Sequence, residues 1–326
     1  MEAIFCSNKS EWDNFVVQNS DMFLQAFEWG KLQEESGLNV FRITIKDGEE
    51  TLAQAQITKE ASFSKNYLYI AYGPVFKNGI DDQKKETSLK ILLEKIQELS
   101  KKENCIFLRI ESAVPLSKVE DYALKIPPRR TQPQKTLILD LTKSEEALSK
   151  EFSTTTRRNI NLAKKHGVTI RKQNIYSSDF YNLLKKTKNR QEFGVYSENH
   201  YRRLFQIRGE NIKVELFLAE YQGKTINSTI VVLFNNKATT LHSGSDYNFR
   251  KFKAANLLKW EIILSAKKDG SKKLDFWGID EKKWPNLTSF KKGFGGEELI
   301  YPPGIDIVFQ KFWYAAYKIS KIIKIK

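Results

Sequence analysis

Apolar positions along the chain follow two periods, and the two alternate in a fixed order. Over 84–102, Leu89, Leu92, Leu93, Ile96 and Leu99 recur at spacings of three and four, which places them on one face of a helix. Over 252–269, Ala255, Leu258, Ile262 and Ala266 do the same, and Gly270 stops the helix. Three strand-like runs precede the first helix: VFRITI (40–45), LAQAQIT (52–58) after a DGEE turn, and YLYIAYGPVF (67–76). The strand CIFLRIE (105–111) follows it. Before the second helix stand VELFLAEY (214–221), TINSTIVVLF (225–234) across a Q-G-K hairpin signal, and ATTLHSGS (238–245). KLDFWG (273–278) follows as a strand. Shorter helices are predicted at 11–19, 28–36, 144–152, 154–167, 177–190 and 197–208, with a further strand at 136–142.

The order "three-strand meander, long helix, strand" therefore occurs twice, offset by roughly 170 residues, which suggests two copies of one fold. It is the element order of the GCN5-type N-acyltransferase fold, so the class expected is α/β with mixed sheets, two such domains in tandem. IPPRRTQPQ (126–134), rich in Pro and Arg, breaks the chain between them.

Composition narrows the setting. The chain has 326 residues and a net charge of +15. Such an excess points to an anionic partner (nucleic acid, a phosphorylated substrate or an acidic membrane face) or to a lysine-rich proteome. Cys6 and Cys105 are far apart and form no C-x-x-C, so neither a disulfide framework nor a zinc site is suggested. His166, His200 and His242 make no H-E-x-x-H or spaced metal cluster, and there is no G-x-S-x-G elbow. The first residues lack a signal peptide's basic and apolar regions, and no apolar run approaches membrane-spanning length. A reducing, cytoplasmic protein is expected.

Three segments carry candidate chemistry. TTTRRNINLAKKHGVTIRK (154–172) holds Arg157, Arg158, Lys164, Lys165, Arg171 and Lys172 with no acid among them. It fits either a phosphate-holding helix or a solvated face. In the loop before the second long helix, an acetyl-CoA enzyme of this fold carries R/Q-x-x-G-x-G/A to bind pyrophosphate. Here the run is Arg250, Lys251, Phe252, Lys253, Ala254, Ala255. Lys253 replaces the central glycine and puts a Cβ where backbone must approach phosphate, which counts against CoA. The third segment, SFKKGFGGE (289–297), matches no phosphate fingerprint. Its Gly-Gly predicts a turn, and Phe290, Lys291 and Lys292 lie just beyond the last predicted strand.

With these residues in hand the sequence resembles the FemABX family, the tRNA-dependent aminoacyltransferases that build peptidoglycan cross-bridges. The shared features run in order: FLQAFEWGKLQEESG (23–37), YIAYGPVF (69–76), FLRIE (107–111), TTTRRNINLAKKHGV (154–168), LFLAEYQGKTINSTIVV (216–232), the stretch 241–280 and SFKKGFGGE (289–297). No counterpart of the coiled-coil arm of some members is present. The resemblance implies two acyltransferase-like domains, 1–135 plus 303–326 and 136–302, with the C-terminal segment returning to the first. It implies aminoacyl-tRNA as donor and an amine of the stem peptide of UDP-MurNAc-pentapeptide or lipid II as acceptor, with no cofactor, acting as a monomer. The family's Phe-Lys pair falls on Phe290 and Lys291. Its muropeptide-contacting tyrosine in Y-x-G-S falls on His242, and a further tyrosine on Tyr201, with Arg202 beside it. Its phosphate-contacting lysine falls on Gln33, with Lys31 nearby. Glu111 matches an acidic position. Arg157, Arg158, Lys164, Lys165, Arg250, Lys253 and Lys292 are the expected tRNA contacts.

An aminoacyl ester is already activated, so its transfer needs a neutral amine, positioning and a stabilised oxyanion. Lys291 is the expected cation, and Glu111 or Asp275 the candidate to take the amine's proton. An acyl-CoA-dependent N-acyltransferase and a non-catalytic tRNA-binding relative are the competing readings. The tail KFWYAAYKISKIIKIK (311–326) fits either a final element packed on the first domain or contact with the inner membrane face.

Overall fold

The computed structural model describes residues 1–62, 65–116, 122–191 and 194–323. In chain order come β1 (Glu2–Phe5), α1 (Lys9–Asn19), α2 (Phe27–Glu35), β2 (Asn39–Asp47), β3 (Glu50–Ser62), β4 (Lys65–Ala71), β5 (Val75–Phe76), α3 (Asp82–Lys102), β6 (Cys105–Glu111) and β7 (Leu124–Lys125). Next are β8 (Lys135–Asp140), α4 (Glu145–Glu151), α5 (Thr154–Lys165), β9 (Thr169–Gln173), α6 (Ser178–Gln191), α7 (Glu198–Leu204), β10 (Ile212–Tyr221), β11 (Lys224–Phe234) and β12 (Lys237–Ser245). Then follow α8 (Ala254–Lys268), β13 (Lys273–Asp275), α9 (Pro285–Lys292), β14 (Glu297–Ile300), β15 (Ile305–Val308) and α10 (Lys311–Ile323). The chain divides into two units, Met1–Gln134 with Tyr301–Lys326, and Lys135–Ile300.

The first unit's sheet runs β1-β2-β3-β4-β6-β15-β7, with β5 paired to β3. All its pairs are antiparallel except β4–β6, which α3 connects as a crossover. Asp81 caps α3 by accepting from the N–H of Lys84, and the predicted stripe of Leu89, Leu92, Leu93, Ile96 and Leu99 is buried. It packs on Ile43, Ile45, Ala55, Leu68, Leu108 and Ile110 of the sheet. The second unit repeats the plan. Its sheet runs β14-β8-β13-β12-β11-β10-β9, with β12–β13 the parallel pair across α8. Leu258, Ile262 and Ala266 of α8 are buried with Ile160 and Ala163 of α5 and Leu274 of β13. The expected pair of mixed α/β sheets is thus what forms.

Three elements depart from expectation, each for a local reason. The strand expected over 67–76 breaks at Tyr72, whose φ is 52°, before a cis Gly73–Pro74 bond. The strand expected over 273–278 ends at Asp275, because the next turn puts Trp277 at φ 56°. The stretch around Phe290 and Lys291 is helical as α9, with Pro285 in its first turn. The predicted turn follows it, with Gly295 at φ 74° and Gly296 at φ 89°. Gly244 of β12 is required by close approach: a Cβ there would lie 2.5 Å from the backbone nitrogen of Leu184 in α6. The short β1, β9, β14 and β15 carried too few residues for the periodicity to show.

The returning chain is fixed by one buried pair. Arg109 of β6 donates through Nε and Nη2 to the two carboxylate oxygens of Asp306 on β15, both at 2.8 Å. Asp306 is 0 % and Arg109 2 % exposed, and the hydroxyl of Tyr314 on α10 donates to the same carboxylate. Removing one partner strands the other charge. Arg109→Met is therefore expected to cost about 3–5 kcal/mol of the first unit's stability, read from its urea unfolding midpoint. Arg109→Met combined with Asp306→Leu is expected to recover most of it, because the pair is then replaced by apolar groups.

Candidate active site

β13 lies between β8 and β12, so a side chain on it is sealed by strands on both edges. Asp275 ends this strand and is 0 % exposed. Its Oδ1 accepts from the Thr136 hydroxyl on β8 and from the Trp277 N–H at 2.7 Å. Its Oδ2 is sealed without a hydrogen-bond partner. Burial raises the affinity of this carboxyl for a proton, against the opposing pull of Lys237 and Lys291.

The bend that Asp275 holds turns two backbone carbonyls toward α9. Lys291 donates from Nζ to the Trp277 carbonyl at 2.7 Å and the Gly278 carbonyl at 2.6 Å. The side chain is 9 % exposed. Burial brings its pKa down to about 8, and Asp275 pulls it back up. At neutral pH it is an ammonium with two hydrogens committed and one left to donate. Phe290, its neighbour on α9, is half-buried and packs edge-on to Phe294 at 5.4 Å. Phe294 in turn contacts Phe152 and Phe276, which ties α9 to the core.

Sequence reasoning did not single out the other buried lysines here. Lys237 of β12 is 3 % exposed and Lys259 of α8 is 6 % exposed. Lys259 Nζ lies 5.7 Å from the centre of the Phe276 ring, so Lys259, Asp275 and Lys291 share the segment Asp275–Gly278. Its signal in the sequence is a lone lysine three residues from Asn256 and four from Ile263, inside the buried stripe of AANLLKWEII.

Several expected site residues have other work. Glu111 lies in the first unit, 0 % exposed, and accepts from the Tyr69 hydroxyl and the N–H groups of Thr131 and Gln132. These bonds make it an anchor of the chain leaving that unit. Tyr201 is 0 % exposed. It packs edge-on to His242 at 5.5 Å, while Tyr196 stacks on His200 at 4.2 Å. Burial brings His242 and His200 down to about 4, so both are neutral at pH 7. Arg202 pairs with Glu198 at 2.7 Å and lies over the Tyr176 ring. Lys31 is exposed and Gln33 half-buried on α2.

The expected basic face is likewise smaller than the sequence suggests. Arg157 donates to the carbonyls of Ser149, Lys150 and Phe152, closing the C-terminal end of α4. Lys292 pairs with Glu281 and Glu298. Arg171 meets Glu220, and Lys172 meets Glu215 and Asp269, acids supplied from β10 and just past α8. Arg158, Lys164 and Lys165 remain exposed on α5, with no ion pair among the described residues. Arg250 is exposed over the Tyr247 ring. Lys253 sits at φ 55°, the left-handed conformation a glycine adopts freely, so the turn of the pyrophosphate loop is kept while its bare backbone is not.

The chain is similar to known proteins along most of its length. A lipid II:glycine glycyltransferase of Staphylococcus aureus strain MRSA252 is 24% identical over 324 residues, covering 94% of this chain and 72% of the relative. Among solved structures, FemX superposes with a TM-score of 0.80 at 18% identity, covering 98% of this chain and all of that one. A tandem GNAT protein from the clavulanic acid biosynthesis pathway superposes with a TM-score of 0.54 at 13% identity, covering 94% and 97% of the two chains. The FemAB family matches residues 8–128, 127–225 and 215–321, and the chain belongs to that family.

Proposed function

We propose that this protein transfers an aminoacyl group from aminoacyl-tRNA to an amine of the stem peptide of a peptidoglycan precursor, UDP-MurNAc-pentapeptide or lipid II. Aminoacyl transfer to such a precursor is in keeping with the relatives: the curated ones are named lipid II:glycine glycyltransferases. The observation that carries the reading in this chain is Lys291. It is an ammonium held by two carbonyls at the C-terminal end of β13, with one hydrogen free to meet a developing oxyanion or the ester's ribose. Fixing amine and ester together supplies about 7–11 kcal/mol, and one such donor adds about 2.7–4 kcal/mol. Asp275 holds the loop that presents Lys291, and its own oxygens are too deeply sealed to meet a substrate. Exposed Arg158, Lys164 and Lys165, with Arg250, supply the cationic surface for the tRNA backbone. His242, with Lys31 and Gln33, carries the acceptor contacts by resemblance. The acyl-CoA alternative is disfavoured by the Lys253 side chain in the pyrophosphate loop.

We extend the proposal to the membrane face. No helix among the described residues is long and apolar enough to cross a bilayer. Yet among the described side chains of α10 only Tyr314 and Tyr317 are buried, against β6, and Phe312 at 76% and Ile319 at 58% exposed lie beside Lys311 and Lys318. Residues 324–326 of the basic tail lie outside the described residues. This face suits shallow insertion into an anionic leaflet, beside a lipid-linked acceptor.

Incubation with charged total tRNA and UDP-MurNAc-pentapeptide or lipid II is expected to give a product heavier by an aminoacyl residue in mass spectrometry. Lys291→Met is expected to lower that rate by about 100-fold or more with the fold intact, and a near-normal rate would sink the assignment. Because the lysine loses its proton above a pKa of about 8, wild-type turnover is expected to fall as pH rises past that value. Lys291→Arg, if active, should not show that fall. In flotation assays the protein is expected to rise with phosphatidylglycerol vesicles and not with phosphatidylcholine ones. Phe312→Ser with Ile319→Ser should abolish the difference. Equal recovery of variant and wild type would remove α10 from membrane contact.

A further inference from the structure

Lys259 is buried in the second unit with no acceptor for its hydrogens. No hydrogen bond or ion pair reaches its Nζ among the described residues, and the Nζ lies over the Phe276 ring, 5.7 Å from its centre. Lys291, bound to the same loop, has two carbonyls. One environment is built to keep an ammonium; the other is built to expel its charge. Of the ionisable groups on neighbouring elements, Lys237 of β12, Asp275 of β13 and Lys291 of α9, only the positive charge of Lys291 acts on Lys259, and it repels a second one. On the other elements packed against α8, Arg157 of α5 donates to carbonyls, Arg158, Lys164 and Lys165 of α5 are exposed, Arg171 of β9 pairs with Glu220, and Lys172 of β9 pairs with Glu215 and Asp269 and donates to the Ser265 hydroxyl near the other end of α8. Burial and Lys291 together bring Lys259 down to about 7. Burial favours the neutral form of both lysines, but only Lys291 has carbonyls that hold its ammonium.

We propose that Lys259 is the base of this site, its neutral amine taking the proton that the acceptor's ammonium must lose before it attacks the ester. This rests on the transfer reaction proposed above. The ammonium gives one proton to Lys259 Nζ and keeps a lone pair. That pair forms the new C–N bond. The C–O bond to the ribose breaks, its electron pair goes to the ribose oxygen, and that oxygen takes the proton shed by the attacking nitrogen. Lys259 then returns its proton to water, and Lys291 keeps its own throughout.

Lys259→Met tests this, since methionine fills the same unbranched slot without the amine. Its thermal midpoint is expected to match or exceed the wild type's, because an unpartnered buried amine has been removed. Its single-turnover transfer rate at pH 7 is expected to fall about 10²–10⁴-fold. The wild-type rise in rate through about pH 7 should vanish, leaving the acceptor amine's own titration. A wild-type rate and an unchanged acid limb in Lys259→Met would overturn the proposal. Independently, lysine ¹³Cε NMR, assigned by difference from Lys259→Met, should show one signal titrating near 7. A midpoint near the ordinary 10.5 would also overturn it. The NMR needs no substrate, so absence of transferase activity in the wild type would strike the proposed function and is told apart from failure of the base.

Discussion

A carboxylate in the middle of a sheet has to be answered by donors close at hand, and the far end of the second unit is organised by that requirement. Asp275 cannot reach water. It takes the Thr136 hydroxyl from one neighbouring strand and the N–H of Trp277 from its own chain two residues on. The second bond bends the backbone, ends β13 and turns the carbonyls of Trp277 and Gly278 toward α9. Lys291 meets both, and α9 is thereby held over the strand end. The desolvation of one acid thus sets where the site's cation stands.

The two units solve the same problem at the same place in their common plan. Glu111 ends β6 as Asp275 ends β13, each at the end of the parallel strand after the crossover helix. Both accept one hydroxyl from a neighbouring strand and backbone N–H donors from the chain that follows, two in the first unit and one in the second. In the first unit the bonds go to Thr131 and Gln132 and fix the exit of the chain. In the second they fix the loop whose carbonyls hold Lys291. One structural device has been kept in both copies while only one surrounds it with lysines.

Much of this was legible from periodicity. The stripes of α3 and α8 have full turns of apolar residues, and the strands around them are long enough to alternate. β14 and β15 were not legible, since each has four residues and follows glycine or proline. α9 was hidden because it is eight residues long and Trp284 caps it without a side-chain bond. For the site, the Phe290–Lys291 pair could be found by resemblance, but its environment could not. Whether Arg157 faces a phosphate or three carbonyls, and whether Lys292 is free or paired, depends on residues that folding brings near. Lys259 was the opposite case. Its place in an apolar stripe was visible, and only burial without a partner gives the anomaly meaning.

The pairing of Arg109 with Asp306 spans 197 positions, and the whole second unit lies between them. On a ribosome this inverts the usual sequence of events. The second unit has its complete set of strands once residue 300 has emerged, whereas the first still lacks β15 beside β6. At about 5–20 residues per second, the delay between the two ends of that pair is on the order of 10–40 s. Throughout it β6 presents an unsatisfied edge and Arg109 an unmatched charge, the condition in which nascent chains are held by chaperones. The part of the protein made first is therefore the part finished last.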